Sequence, residues 1–455
     1  MKLMKNINLK DYTHLLWPLL VEQVFMMLIG NVNVLLLSMY TDQAVAATGI
    51  ADQVLAIGTM AMGIISLGST ILFLQHADND ESEYVSVILQ NSAFLNIILA
   101  GLLVGIVFSF GPLIMELLQT PENIMSMAVN YLKLVSISLV FQGLSTTFSA
   151  LLRAFAKAKQ AMNVSIISTI LVILGNAFII LGPIDFNGNE LIAIAISTII
   201  TRGLGTWISI STVQKHLPNV WRYIISKVRI DWSISRKILA YGIPSGMENV
   251  SYNFSQVVIT GVIAGMGTAI YTGKIYAQTI TAIVFTISVA AGQAGQIVIG
   301  KYLRKKQPIL AMRFGQENTF LFMGIGMIIN LIIAMLGPWI ISWFTSDPEI
   351  TVIVQTLLWM NIFYDPLRVA NEIIIASLQV AGDVQYPVII GIIVTYIFTI
   401  PMALLFGSYL NLGIISVWII FILDEGIRAL LFYMRWRKMK WQKGMTKRLE
   451  KVDSV

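Results

Sequence analysis

Two stretches of this sequence place a carboxylate four residues beyond a proline inside an apolar run. "WPLLVEQ" (17–23) carries Pro18 and Glu22, and "IPSGMEN" (243–249) carries Pro244 and Glu248. One offset in numbering relates Pro18 to Pro244 and Glu22 to Glu248. A proline within a helix removes one backbone hydrogen bond and kinks the helix, freeing the carbonyl of His14 in one case and of Ala240 in the other. A charged carboxylate at mid-bilayer costs about 2.5–3.5 kcal/mol on insertion scales, and is tolerated where it faces a cavity, is paired, or carries a proton. A protonatable acid one turn beyond a hinge can couple proton uptake to a change of bend. The plainer reading is a structural acid paired with a lysine near the cytoplasmic surface. For Glu22 the two readings stand level; for Glu248 the functional one is preferred.

A second constellation is "YDPLRVANEI" (364–373). Asp365, Arg368 and Glu372 fall at i, i+3 and i+7, on one helical face. They read as a cation or proton site with a built-in counter-charge, or as a self-neutralised network that packs one helix on its neighbours. Asp424, Glu425 and Arg428 form a similar cluster with the same two readings. Lys133 and Lys274 are expected near helix ends, reaching for the headgroups. The 22 methionines suit a cavity that repacks around varied ligands, or are lipid-facing filler.

These residues need helices to position them. The chain has 455 residues, 56% hydrophobic and 12% charged, against about 25% charged in soluble proteins. So few charges cannot cover a globular surface in water. Apolar runs of about 20 residues recur throughout, each long enough to cross roughly 30 Å of hydrocarbon. Spans are expected at 13–40, 47–75, 86–117, 123–152, 161–182, 190–213, 238–266, 275–300, 312–344, 351–380, 387–407 and 411–434. Gly111-Pro112, Gly182-Pro183 and Gly337-Pro338 are expected to close spans. No cleavable signal pattern opens the chain. There is no cysteine, and the three histidines (His14, His76, His216) are far apart, so neither a thiolate nor a zinc or haem centre is expected. No cofactor is expected; the one metal admitted is a sodium ion at Asp365. Neither Gly-x-Ser-x-Gly nor His-Glu-x-x-His occurs, and no enzyme is expected.

Of the 30 basic residues, 25 lie in segments that share one side if there are twelve spans. Positive segments face the cytoplasm, so both termini are expected there, in the cell membrane. The acidic "HADNDESE" (76–83) goes against this pattern, but acids weigh little in the rule. The net charge of +6 follows from topology, with no nucleic-acid partner implied. The halves echo each other beyond the opening motif: Gly111-Pro112 with Gly337-Pro338, Pro121-Glu122 with Pro348-Glu349, and Ile50-x-x-Gln53 with Ile275-x-x-Gln278. The fold expected is therefore an all-α polytopic membrane protein, with twelve transmembrane helices in two six-helix lobes related by a pseudo-two-fold axis. The lobes are assigned to 1–213 and 238–455, joined by a cytoplasmic linker, 214–237. Such parallel repeats place a substrate site between lobes near the midplane.

The chain resembles the multidrug and toxic compound extrusion (MATE) family, within the superfamily that also holds lipid-linked oligosaccharide flippases. "WPLLVEQVFMMLIGNVNVLLLS", "AVAATGIADQV", "LLRAFAKAKQAM", "GIPSGMEN" and "SLQVAGDVQYP" carry the resemblance, in that order. The last is similar to the family's Leu-Arg-x-x-Gly-Asp-x-x-x-Pro signature, with Gln379 in place of the arginine and Gly382, Asp383 and Pro387 kept; its first-half counterpart keeps Arg153. The resemblance implies two six-helix lobes, alternating access, and export of organic cations against protons or sodium. Two departures matter: Asn33 stands where many relatives have an aspartate, and Val172 and Asn176 stand where many have an Asn-x-x-x-Asp pair. An asparagine can ligate sodium but takes up no proton at physiological pH. Coupling is then expected from Glu248, Asp365 and Glu372, with Glu22 secondary. Arg368 favours the charged form of Asp365, which makes Glu248 the expected proton carrier and Asp365 the expected site for sodium or cargo. Asn33, Asn176, Gln278, Tyr364 and Arg368 are assigned to the substrate cavity, and Pro18 and Pro244 to hinges. The expected partners are small organic cations, protons or sodium, and the lipid bilayer, with the protein a monomer. The alternative is a lipid or lipid-linked sugar flippase of the same superfamily, which would need a cationic cavity. A major facilitator transporter would carry a basic loop where "HADNDESE" stands.

Overall fold

Lipid offers no partner to a backbone N–H or C=O, so a long apolar segment closes its hydrogen bonds on itself as a helix. The structure, a computed structural model, describes residues 9–39, 41–77, 82–118, 120–182, 186, 189–226 and 228–442. Within the helices, the side chains of residues 9–11, 28–35, 38, 42, 248 and 249 lie outside that description. The helices of the first half are α1 (Leu9–Ser38), α2 (Asp42–His76), α3 (Ser82–Leu117), α4 (Glu122–Ser136), α5 (Ser138–Ala154), α6 (Ala158–Leu181) and α7 (Glu190–His216). A short α8 (Pro218–Ser226) follows. The second half comprises α9 (Trp232–Ala264), α10 (Thr268–Arg304), α11 (Pro308–Met335), α12 (Gly337–Ile341), α13 (Pro348–Val380), α14 (Gln385–Ile393), α15 (Ile400–Ala403) and α16 (Gly413–Arg437).

Among the described residues, nine segments are long and apolar enough to cross a membrane by length and composition; α1, α9 and α16 bring the spans to twelve. α4 and α5 are one span stepped at Ile137, and the eleventh span is Gln385–Tyr409. That eleventh span contains two π-helical segments, Val394–Thr399 and Leu404–Tyr409, on either side of α15. Pro401 lies between them, without an N–H to donate, and wider turns absorb such a gap. Gly111-Pro112 does not close its span as expected: α3 runs through Pro112 to Leu117. One missing N–H kinks a packed membrane helix without ending it. Gly337-Pro338 does interrupt the chain, opening α12 after α11 has ended.

The chain divides into two compact units, and the division does not fall in the linker. One unit is Val21–Gly246; the other is Met1–Leu20 together with Met247–Val455. Each crossing lies two residues beyond a proline inside a helix, Pro18 in α1 and Pro244 in α9. The two crossings are related by the same offset as the sequence repeat. Each half thus lends the opening of its first helix to the unit built mainly by the other. The opening of α1 is held by Tyr12, whose hydroxyl donates to Asn318 Oδ1 at 2.6 Å and whose ring meets Phe314 edge-on at 5.6 Å. The opening of α9 lies backbone to backbone on α2: a Cβ at Gly68 would strike the Ile238 carbonyl, and one at Gly242 the Ile64 carbonyl. Small residues allow such approach where no water drives helices together.

Each unit has its own apolar core. Ala47, Ala51, Ala100, Leu132 and Ile194 anchor the first; Ile263, Leu357, Trp418 and Phe421 anchor the second. Exposed Ile98, Leu102, Ile106 and Phe110, four residues apart in turn, make one side of α3 a lipid-facing surface.

The repeat also shows in how α5 and α13 end. After α13, Gly382 takes a left-handed φ of +84°, and the Asp383 N–H reaches back to the Leu378 carbonyl at 2.9 Å. After α5, the equivalent residue is Ala156 at φ +58°, and Lys157 N–H reaches the Leu152 carbonyl at 2.8 Å. A side chain in that region costs about 1–2 kcal/mol that glycine avoids. Ala156→Gly is therefore expected to stabilise the protein by roughly 1 kcal/mol, less the backbone entropy that glycine adds. Thermal unfolding in detergent checks this, and an unchanged or lowered midpoint would refute it.

Candidate functional site

α13 is the central helix of the second unit, packed against α10, α11 and α16. Its interior holds Pro366, which cannot donate to the Ile362 carbonyl one turn back. Asp365, beside that freed carbonyl, is 3% exposed. Its Oδ2 makes no hydrogen bond of good geometry. Asn330 of α11 neighbours it, fully buried, with neither amide atom in a well-formed hydrogen bond. Buried polar groups are nearly always satisfied; here the side chains of Asp365 and Asn330 answer each other only through a hydrogen bond outside good geometry, which leaves bonding capacity on both. The acceptors there, a carboxylate and an amide oxygen with a backbone carbonyl adjacent, are of the hard oxygen type that suits a proton or an alkali cation.

Arg368 shares the face of α13 with Asp365 and is half-buried. Its guanidinium stacks over Phe285 of α10 at 4.0 Å and donates from Nη2 to Tyr252 Oη of α9 at 3.3 Å. One turn before Asp365, Asn361 accepts from Trp418 Nε1 at 2.7 Å and donates to Thr281 at 3.3 Å. Tyr364 packs between Trp418 and Phe421. Glu372 is half-buried and lies against Gly292 of α10.

α16 contributes a second acidic layer. Asn371 donates to the side chain and backbone carbonyl of Glu425. Asp424 Oδ1 accepts from Arg428 Nε at 3.0 Å and from Thr399 Oγ1 at 2.7 Å, while Arg428 Nη2 donates to Thr395 Oγ1 at 2.7 Å. Both threonines belong to the first π segment, so the widened turn is what presents them to α16.

The opening glutamate of the first half is engaged differently. Glu22, 6% exposed, is paired with Arg153 Nη1 at 3.2 Å and accepts from Ser165 Oγ at 2.6 Å. Its partner is an arginine from 131 residues away, where a lysine was expected. At the offset of the repeat, Arg153 corresponds to Gln379 and Ser165 to Gly391. Gln379 is neutral and accepts from Gln296 at 3.3 Å. The second half therefore lacks both groups that hold the acid in the first. The side chains of Glu248 and Asn33 lie outside the described residues.

The other expected residues are dispersed. Asn176 is buried on α6 in the first unit, where Arg202 donates to Ser138 at 2.9 Å with Asp52 and Tyr131 beside it. Gln278 is exposed on α10; Thr281 and Phe285 are the α10 residues that reach the α13 cluster. Lys274 does not reach outward as expected: it is buried and donates to Thr260. The signature residue Asp383 is an ion-pair partner of Arg435 at 2.7 Å. Asn330, Asn361 and Asn371 were not anticipated, since buried asparagines in apolar helices carry no spacing signal of their own.

Two six-helix units of membrane-spanning helices, with buried carboxylates in the middle of one, define a polytopic helical membrane protein built around intramembrane acids. The model of the MatE family matches residues 18–178 and again 244–405, so its two copies begin at Pro18 and Pro244, the prolines of the opening motifs. The chain belongs to the MATE family, whose members are transporters and not enzymes. It is 33% identical to the "Uncharacterized transporter YisQ" of Bacillus subtilis, over 95% of each chain. It is 24% identical to the "Probable multidrug resistance protein NorM" of Thermotoga maritima, over 98% of this chain and 96% of that one. Among solved structures it is similar to a multidrug resistance MATE family transporter in an outward-facing conformation, with a TM-score of 0.81 at 16% identity, covering 95% of this chain and 96% of that one. It is also similar to a MATE structure in a bent conformation, with a TM-score of 0.80 at 16% identity, covering 98% and 97%.

Proposed function

We propose that this protein is a secondary active antiporter that exports amphiphilic organic cations in exchange for protons or sodium by alternating access. The observation that carries this reading is the carboxylate of Asp365, buried in a membrane-spanning helix and answered by Asn330 only through a poorly formed hydrogen bond. A ligand there moves the inward–outward equilibrium only by as much as it binds one state better than the other. Asp365, with Asn330 and the carbonyl freed by Pro366, serves sodium or cationic cargo; Glu248, whose repeat-related positions carry no cation, serves the proton. Pro18 and Pro244 are the hinges. Both termini face the cytoplasm, and the multidrug relatives support the cargo class.

The test is transport by purified protein in vesicles, with ethidium as cargo, under an imposed proton gradient and separately under a sodium gradient. Uphill ethidium movement under at least one gradient is expected. Movement of anionic lipid-linked sugars alone would establish the flippase reading instead.

A further inference from the structure

The segment joining the two halves is long for a connection between spans and carries six lysines and arginines against one acid over 214–237. The acid, Asp231, is already used: its Oδ1 accepts from the Ser233 N–H at the start of α9. The segment's described residues form α8 and, over 228–231, a stretch without regular structure, fastened to α3 by its backbone. Gln90 Oε1 accepts from the Arg229 N–H at 2.6 Å. Asn91, fully buried, accepts from the Asp231 N–H and from Ser235 Oγ, both at 2.9 Å. Val220 turns inward, 1% exposed.

What the fastening leaves outside is unusual for a solvated loop. Ile225, Val228 and Trp232 are 68%, 79% and 70% exposed, with Tyr223 also exposed. Arg222 and Arg229 stand out among them. The segment leaves one spanning helix at His216 and enters the next at Trp232, so it is confined to the membrane–water boundary. Apolar and aromatic side chains interleaved with arginines suit that boundary when its headgroups are negative.

We propose that residues 218–232 are an interfacial anchor that docks on anionic lipid headgroups, with Tyr223, Ile225, Val228 and Trp232 entering the acyl boundary and Arg222 and Arg229 pairing with lipid phosphates. Because Gln90 and Asn91 hold its backbone, the anchor sets the depth of the neighbouring ends of α3 and α9.

The absence of cysteine makes the test direct. Ile225→Cys in the full chain is labelled with an environment-sensitive fluorophore and reconstituted in phosphatidylcholine vesicles, with or without one-third phosphatidylglycerol. Val228→Cys serves as an independent second site. With phosphatidylglycerol, shallow brominated lipid is expected to quench the probe and the neutral aqueous quencher acrylamide to be excluded. The preference over pure phosphatidylcholine should be about fivefold or more, as expected for arginines at an anionic surface. Arg222→Gln with Arg229→Gln, both on the outer side of the segment and so tolerated by the fold, should abolish the preference. Equal acrylamide access in both lipids would overturn the proposal, placing the segment in water. Equal lipid quenching in both would overturn the headgroup pairing. Protection that rises with protein density would overturn it in favour of a second copy of the chain.

Discussion

Asp365→Asn is expected to lower gradient-driven export in vesicles by roughly two to three orders of magnitude while leaving the protein as stable as before, or more so. The two halves of this expectation have one cause. A buried carboxylate offset only by a poorly formed hydrogen bond from Asn330 and the charge of Arg368 has been desolvated without full compensation, so a neutral amide of the same shape removes a cost from the apo state. A cation bound there loses its counter-charge, and an uncompensated buried charge costs about 3–5 kcal/mol. Each tenfold change corresponds to about 1.4 kcal/mol, so the loss amounts to two to three decades. Thermal unfolding and transport are measured on the same preparation. Leu102→Ala, on the lipid-facing side of α3, should change export less than about threefold. If Asp365→Asn lowers stability and leaves transport intact, the acid packs helices and the proposed site is wrong.

Glu22→Gln alone is expected to destabilise the protein by roughly 3–5 kcal/mol, because it strands the Arg153 guanidinium in a mostly buried position. Pairing it with Arg153→Gln should recover most of that loss, since the first half then carries the same neutral residue that Gln379 supplies in the second. The double variant should keep proton-driven export, while Glu248→Gln should lose it. Together with the unaltered chain, these variants separate an acid that holds helices from one that carries a proton. If the double variant is stable but uncoupled, the working acid is Glu22 and the assignment between the halves must be reversed. If Glu248→Gln exports at the full rate under a proton gradient, Glu248 is structural.

The twelve spans are readable because lipid demands unbroken apolar length, and that demand writes itself directly into composition. Their helices run beyond the apolar limits, as α10 does at both ends, since a charge that ends a hydrophobic run does not end a helix. Asp365 and Arg368 are readable because steps of three, four and seven bring side chains to one face. The step at Ile137, the π segments around Pro401, and α8 are not, because each depends on a neighbour that packs locally against it. The pairing of Glu22 with Arg153 is half-visible: the repeat already shows an arginine in one half and Gln379 in the other. Joining either to a glutamate 131 residues away requires the fold. Asn330 beside Asp365 has no such hint, since nothing in an apolar run announces which polar residue faces a distant acid.

The exchanged openings of α1 and α9 bear on how the chain is made. The first twenty residues leave the ribosome before any other part of the unit they complete, and Tyr12 waits for Asn318, 306 residues later. At about 5–20 residues per second that wait is roughly 15–60 s. During it the start of α1 has no docking surface, while Glu22, further along the helix, can already pair with Arg153 of α5 and Ser165 of α6. The first unit is likewise unfinished until Gly246 has emerged, well past the linker. Biogenesis is thus sequenced by the exchange. A chain cut in the linker ahead of α9 would give two fragments, each carrying the helix opening that completes the other's unit, and assembly from such fragments would require both in the same membrane at the same time.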